Sequence, residues 1–225
     1  MIRPIAKIET DYDSKFGIPR QPGLIPSARG RIIFESEFRN SDTVRGLEDF
    51  SHLWLIWEFS ENLREDWSPT VRPPRLGGNR RLGVFATRSP FRPNPLGLSV
   101  VKLEKVEPET PQGPVITVTG VDMLNGTPIY DIKPYIVYTD AVTDAVSGFA
   151  PEPPVRKNVQ ADDAVLMKLP PEKRQVLLEV LAFDPRPSYH NDPQRVYGFS
   201  FAGREVKFRV EGETVFLLSI GERTG

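Results

Sequence analysis

Two groups of side chains in this sequence have the types and spacing to do chemistry. The first is basic: Arg72, Arg75, Arg80, Arg81, Arg88 and Arg92 fall within residues 71–101, a stretch without a single Asp or Glu. The planar guanidinium binds phosphate or carboxylate in two-pronged fashion, which lysine can do only as a point charge. Solvated surfaces usually interleave both signs, so an unmixed run of this kind points to an anion as its partner. The second group is Asp131, Lys133 and Tyr135. Alternate residues of a strand share a face, which would set a carboxylate, an ammonium and a phenol side by side. Such a set can move a proton. It can equally be a salt-linked strand edge, and the residues themselves leave both readings open. Two shorter pieces could converge on the same chemistry: the tight turn Arg20 to Leu24 (RQPGL) and the segment Asp122 to Pro128 (DMLNGTP).

These groups need a framework. Pro73, Pro74, Pro90, Pro93 and Pro95, with Gly77, Gly78, Gly83 and Gly97, make most of the arginine stretch a shaped loop, since proline fixes φ and glycine opens φ > 0. Val84 to Ala86 and Leu98 to Leu103 interrupt it as strand-like pieces. Further strands are expected at Ile2 to Ile8, Arg29 to Phe34, Ser51 to Phe59 (a buried strand rich in aromatic and aliphatic residues), Leu98 to Val106, Val115 to Val121 and Ile129 to Tyr138. Ser41 is the expected N-cap of a short helix through Val44, Leu47 and Phe50. Asn125-Gly126 is a turn signal. About six strands with proline-rich connections, ending near residue 140, predict a closed or nearly closed β-barrel.

Residues 145–154 (AVSGFAPEPP) read as a linker. Beyond it, Pro171 to Phe183 predicts a helix with Val176, Leu177, Val180, Leu181 and Phe183 on one face. Tyr197/Phe199/Phe201, Val206/Phe208/Val210 and Val215/Leu217 then alternate across turns at Gly203 and Gly212, as in a three-stranded meander. The fold class expected is mainly β: a barrel domain over 1–144 and a small α+β domain over 155–225.

Bulk properties bound the function. The net charge is −1, so any polyanion must be held by a local patch. Without cysteine there are no disulfides, zinc–thiolate sites or thiol nucleophiles. The two histidines, His52 and His190, lack metal-ligand spacing, and His52 reads as a packed, hydrogen-bonded side chain. No metal is expected. Neither a Walker loop nor a G-x-G-x-x-G fingerprint is present. The N-terminus lacks a secretory pattern and no apolar run reaches membrane-spanning length, so a soluble, cytoplasmic protein is expected.

The motifs PRQPGL, VRGLEDFSHLWLIW, VRPPRLGG, GVFATRSPFRPNPLGLS, DMLNGTPIYDIKPY and DPRPSY together resemble the TsaA-like (TrmO) family. The resemblance is strong over residues 2–140 and weaker beyond. It implies an S-adenosylmethionine-dependent tRNA methyltransferase built on a β-barrel, not a Rossmann sheet, and acting as a homodimer. It implies a substrate too: tRNA whose adenosine just 3′ of the anticodon carries threonylcarbamoyl, methylated on its exocyclic nitrogen. The cofactor contacts it implies are Pro22, Gly23, Leu24, Arg88, Leu98, Thr119, Gly120, Val121 and Asp122, with Ser60 and Glu61 where the family pattern has His-Gln.

On that resemblance Asp131 is the expected general base, Tyr135 the runner-up, and Lys133 an orienting or charge-stabilising partner. Arg88 and Arg92 would bind the cofactor carboxylate or an RNA phosphate, and Arg72, Arg75, Arg80 and Arg81 the anticodon-loop backbone. Arg186, Tyr189, Arg204, Lys207 and Arg209 of the second domain could help grip RNA, or that domain could be purely structural. Two rival readings keep the barrel: a methyltransferase with a small-molecule acceptor, and a non-catalytic RNA-binding barrel in which Ser60-Glu61 mark a lost cofactor site.

Overall fold

A computed structural model describes residues 2–63, 66–187 and 192–222. Tyr189 and His190 lie outside the described residues. The first eight strands are β1 (Ala6–Thr10), β2 (Arg29–Phe34), β3 (His52–Glu58), β4 (Thr70–Val71), β5 (Leu82–Gly83), β6 (Leu96–Glu107), β7 (Val115–Thr119) and β8 (Thr127–Pro134). Six of them close into a barrel in the order β1-β2-β7-β6-β3-β8, as the strand pattern predicts, while β4 and β5 form a separate two-stranded ribbon.

Alternation builds the barrel interior. On β3, Leu53, Leu55 and Trp57 are buried, and on the neighbouring strand β6 Gly97, Ser99 and Val101 are too. Taking Leu53 and Leu55 fully out of water stabilises the fold by about 1.5–3 kcal/mol each. The same alternation corrects the expectation that Ser51 to Phe59 is buried throughout. His52, Trp54 and Ile56 point to the outer face, where they are only half-buried.

A bulge in β8 decides which way its polar residues point. Trp57 stands opposite Ile129, yet Ile56 stands opposite Asp131, so Tyr130 is an extra residue. Unbroken alternation would put Asp131 on the same inward side as Ile129. The inserted residue reverses that parity, and Asp131 and Lys133 come out beside Ile56 and Trp54.

Two expected elements differ. Residues 41–50 form two 3-10 turns, Ser41–Val44 and Leu47–Asp49, instead of one helix. Gly46, at φ 81°, breaks the run, and the cap is Asn40, whose side chain accepts from the Asp42 N–H. Val84–Ala86 is a 3-10 turn and not a strand: the Thr87 N–H donates to the Val84 carbonyl at 3.1 Å and closes the turn where the β4–β5 ribbon ends. Strand ends also move: β1 begins at Ala6, and β8 ends at Pro134 with the short helix α1 (Val137–Asp140) following.

Beyond the barrel lie β9 (Asn158–Gln160), α2 (Asp163–Leu166), α3 (Pro171–Ala182), β10 (Tyr197–Phe201), β11 (Arg204–Glu211) and β12 (Thr214–Glu222). The expected meander is there, with β9 added parallel to β12 to make four strands in the order β10-β11-β12-β9. Three residues with one apolar side chain gave no strand signal.

By packing, the chain forms two compact units that are not sequential. One comprises Met1–Glu9, Arg31–Val118 and Gly126–Glu152, and the other Thr10–Gly30, Thr119–Asn125 and Pro153–Gly225. In the second, the loop after β1 is built onto the C-terminal sheet and α3. Tyr12 bridges Phe201, the Ala202 N–H donates to the Asp11 carbonyl at 2.8 Å, and the Gly203 N–H donates to the Asp13 carboxylate at 2.7 Å. Lys173 pairs with Asp11 at 2.7 Å, and the Ser27 hydroxyl donates to Glu179 at 2.8 Å. Among the described residues no helix is long and apolar enough to cross a membrane.

Candidate active site and RNA-facing surface

In the first unit, β3 and β8 carry the candidate acid–base group on the barrel's outer face. Asp131 Oδ2 lies 3.0 Å from Lys133 Nζ, and Asp131 Oδ1 accepts from the Ile132 N–H at 2.9 Å. Each oxygen is held by one donor and keeps lone-pair capacity for another. Both side chains are well exposed, so the ion pair orients the carboxylate more than it stabilises the fold. Tyr135 follows the strand end and its N–H donates to the His52 carbonyl at 3.0 Å. Its ring centroid is 5.8 Å from that of Trp54 and 6.3 Å from that of His52.

Trp54 is in turn fixed by Asp140, whose Oδ2 accepts both the indole N–H at 2.9 Å and the Ile136 N–H at 2.8 Å. Asp131, Lys133 and Tyr135 therefore do share an accessible face. Trp54, His52 and Asp140 are neighbours that sequence reasoning missed. The signal for the first two was the two-residue spacing within SHLWLIW; Asp140 gave none. His52 is half-exposed, with Nδ1 2.9 Å from the Ser51 hydroxyl.

The arginines fall into two kinds. Arg92 donates to the Thr87 carbonyl at 2.7 Å and lies 5.9 Å from the centre of the Phe85 ring, so it knits the 84–87 turn. Arg81 donates to Thr70 Oγ1 at 3.0 Å, and Arg75 to the Glu152 carbonyl. Arg72 and Arg80 are exposed and have no partner among the described residues. Arg88 is exposed as well. Ser60 and Glu61 lie in a 3-10 turn just past β3, and Leu98 is 55 % exposed on the outward side of β6.

In the second unit, two glycine corners meet. The Gly23 N–H donates to the Gly120 carbonyl at 2.9 Å, and a Cβ on Gly120 would stand 3.3 Å from Gly23 Cα. Gly23 is exposed at φ 76°, and a Cβ there would meet nothing within 4 Å. Pro22 and Leu24 flank it half-buried, Thr119 and Asp122 are half-buried, and Val121 is buried. Beside this corner the Tyr12 hydroxyl is buried with no hydrogen-bond partner among the described residues. Burial pushes that phenol up, and the Asp11, Asp122 and Glu179 carboxylates push it further, so it stays neutral. No group of three or more His, Asp or Glu suited to a metal occurs among the described residues.

Known proteins resemble the chain throughout its length. Residues 7–141 match the family model described as the tRNA-methyltransferase O N-terminal domain, and residues 154–223 match the TrmO C-terminal domain. A tRNA (adenine(37)-N6)-methyltransferase of Escherichia coli (strain K12) is 40% identical over 225 residues, covering 95% of each chain. One from Eikenella corrodens is 51% identical over 163 residues, covering 72% of this chain and 92% of that protein. The crystal structure of TrmO from Pseudomonas aeruginosa superposes with a TM-score of 0.81 at 34% identity, covering 98% of this chain and 97% of the other.

Proposed function

The chain belongs to the TrmO family of tRNA methyltransferases, and from that premise we propose both its substrate and how its residues act. It is an S-adenosylmethionine-dependent enzyme that methylates N6 of adenosine 37 in tRNA. The adenosine it takes already carries threonylcarbamoyl on that nitrogen, and it acts as a cytoplasmic homodimer.

The residues expected to hold the cofactor suit it. The open space above the bare Gly23 Cα admits a flat group close to the backbone, Pro22 and Leu24 offer apolar edges, and the Asp122 carboxylate suits a ribose hydroxyl. Thr119, Gly120 and Val121 complete that corner. In the first unit Arg88 suits a carboxylate, with Leu98, Ser60 and Glu61 as further contacts. When bound, S-adenosylmethionine supplies a methyl already activated on a sulfonium, so alignment is most of the task left to the protein.

Asp131 takes the N6–H proton as the nitrogen gains its methyl. A nitrogen between a purine and a carbamoyl is urea-like and a poor nucleophile, so its proton must leave. The geometry that carries this reading is the Asp131 carboxylate turned outward by the β8 bulge and oriented by Lys133 at 3.0 Å. Support for the homodimer is the apolar outward face of β3 and β6, where Trp54 stands opposite Val100 and Ile56 opposite Leu98.

The substrate is tested by methyl transfer to threonylcarbamoylated and unmodified tRNA, read by nucleoside mass spectrometry. Methyl on the modified adenosine alone is expected; equal transfer to both would remove the requirement for the prior modification. Arg80 and Arg81 contact backbone phosphates on this reading. Replacing both by Ala should lower the slope of log K against log salt by about 1.4–1.8, at 0.7–0.9 per phosphate. An unchanged slope removes them from the RNA contact.

A further inference from the structure

The chain leaves β3 at Glu58 and returns to the barrel only at β6. Between them the β4–β5 ribbon brings two rings together: Trp67 precedes β4, and Phe85 follows β5. Their centroids are 6.4 Å apart with planes tilted by 31°. Both rings face solvent, Trp67 at 51% and Phe85 at 73% exposure. Beside them is a cavity of about 290 Å³ whose walls include Trp67, Phe91, Asn62, Asp66 and Arg92. Two aromatic walls, a guanidinium, an amide and a carboxylate are what a nucleobase needs: faces to stack on, and donors and acceptors for its edge.

We propose that this cavity is a second nucleotide site, which takes one unpaired base of the anticodon loop other than the base that is methylated. It rests on the tRNA reading given above. Charge selects the occupant. Asp66 and Arg92 balance one another in the cavity wall, but from Trp67 to Leu103 the chain carries Arg72, Arg75, Arg80, Arg81, Arg88, Arg92 and Lys102 and no Asp or Glu. A second copy of the chain docked here would set like charges face to face, whereas RNA neutralises them.

Position separates this base from the reacting one. The cavity lies past the C-terminal end of β3, whereas Asp131, Lys133 and Tyr135 are level with Ile56, Trp54 and His52. Two to six residues of strand at ~3.3 Å each set roughly 7–20 Å between the end of β3 and these side chains. One base is held at Trp67 while another is presented to Asp131. The ring does not touch the reacting atoms, so Trp67 is a positioning residue that fixes the register of the loop.

The test is titration of a labelled anticodon stem-loop RNA with the full chain, read by anisotropy at several salt concentrations. Trp67→Ala should weaken binding roughly 5- to 150-fold, the value of one stacked base. Its salt slope should stay at the wild-type value, because no charge is lost. Trp67→Phe keeps a ring and should restore most of the affinity, and Phe91→Ala should weaken binding in the same direction. If Trp67→Ala fails to fold by circular dichroism, Trp67→Leu carries the same expectation.

Wild-type affinity in Trp67→Ala, with tRNA still bound and methylated, overturns the nucleotide site and leaves the enzyme's substrate standing. Wild-type protein that neither binds nor methylates tRNA overturns both. A halved mass by light scattering in Trp67→Ala with unchanged RNA affinity would assign the surface to a second copy of the chain, and overturn the proposal.

Discussion

Asp131→Asn is expected to lower turnover by about 10²–10⁴-fold while S-adenosylmethionine binds as before. The range is the usual contribution of one positioned acid–base group, and corresponds to about 2.7–5.4 kcal/mol of barrier. Asn keeps the side chain's shape and its acceptance of the Ile132 N–H at 2.9 Å, but it cannot take a proton. The cofactor residues proposed above do not include Asp131, so calorimetry with S-adenosylmethionine should give a Kd within about twofold of wild type. Single-turnover methyl transfer to threonylcarbamoylated tRNA is the decisive rate, because it excludes product release. Unimpaired turnover would pass the role to Tyr135, and Tyr135→Phe would then carry the loss.

The second large effect is on the fold. Gly97 sits on β6 opposite Trp57 of β3, and a Cβ built there would stand 2.2 Å from the Trp57 ring. The ring is not a flexible end that can swing aside. It is 5% exposed, its N–H donates to Ser99 Oγ at 3.0 Å, and it packs on Phe59 at 4.3 Å between centroids. Gly97→Ala should therefore cost about 1–3 kcal/mol or more as overpacking, a fall in Tm of roughly 2–12 °C for a chain of this size. Trp57→Phe makes room, so the double variant should melt above Gly97→Ala alone. If Gly97→Ala melts like the wild type, the indole is freer than its contacts imply.

Much of the architecture could be read from local pattern. β2 occupies the expected residues, α3 ends one residue short of expectation, and the closed barrel follows from strand spacing and proline-rich turns. These features depend on neighbours a few residues apart. The misreadings have mixed causes: Gly46 breaks the 41–50 run locally, while β9 depends on a partner far along the chain. Val84–Ala86 reads as strand-like, but the Thr87 N–H closes a 3-10 turn on the Val84 carbonyl. β9 has one apolar side chain and exists because the edge of β12 was open.

The candidate site was legible in the same uneven way. Asp131, Lys133 and Tyr135 share a face as their spacing predicts, yet on the pattern alone that face would also hold Ile129. Only the extra Tyr130, set by pairing with β3, turns the three toward solvent. The contacts of Trp54 with Asp140 and of Trp57 with Gly97 span 86 and 40 residues, and no periodicity encodes them.

The loop carrying Pro22, Gly23 and Leu24 has a temporal consequence. Its segment rests on residues made much later: Asp11 on Lys173, Ser27 on Glu179, and Asp13 on Gly203, a separation of 190 positions. At ribosomal speeds of ~5–20 residues per second, roughly 10–40 s pass between the birth of that loop and the arrival of its last support. The loop therefore waits for the sheet of β10 to β12 before the wall beside Gly23 is finished.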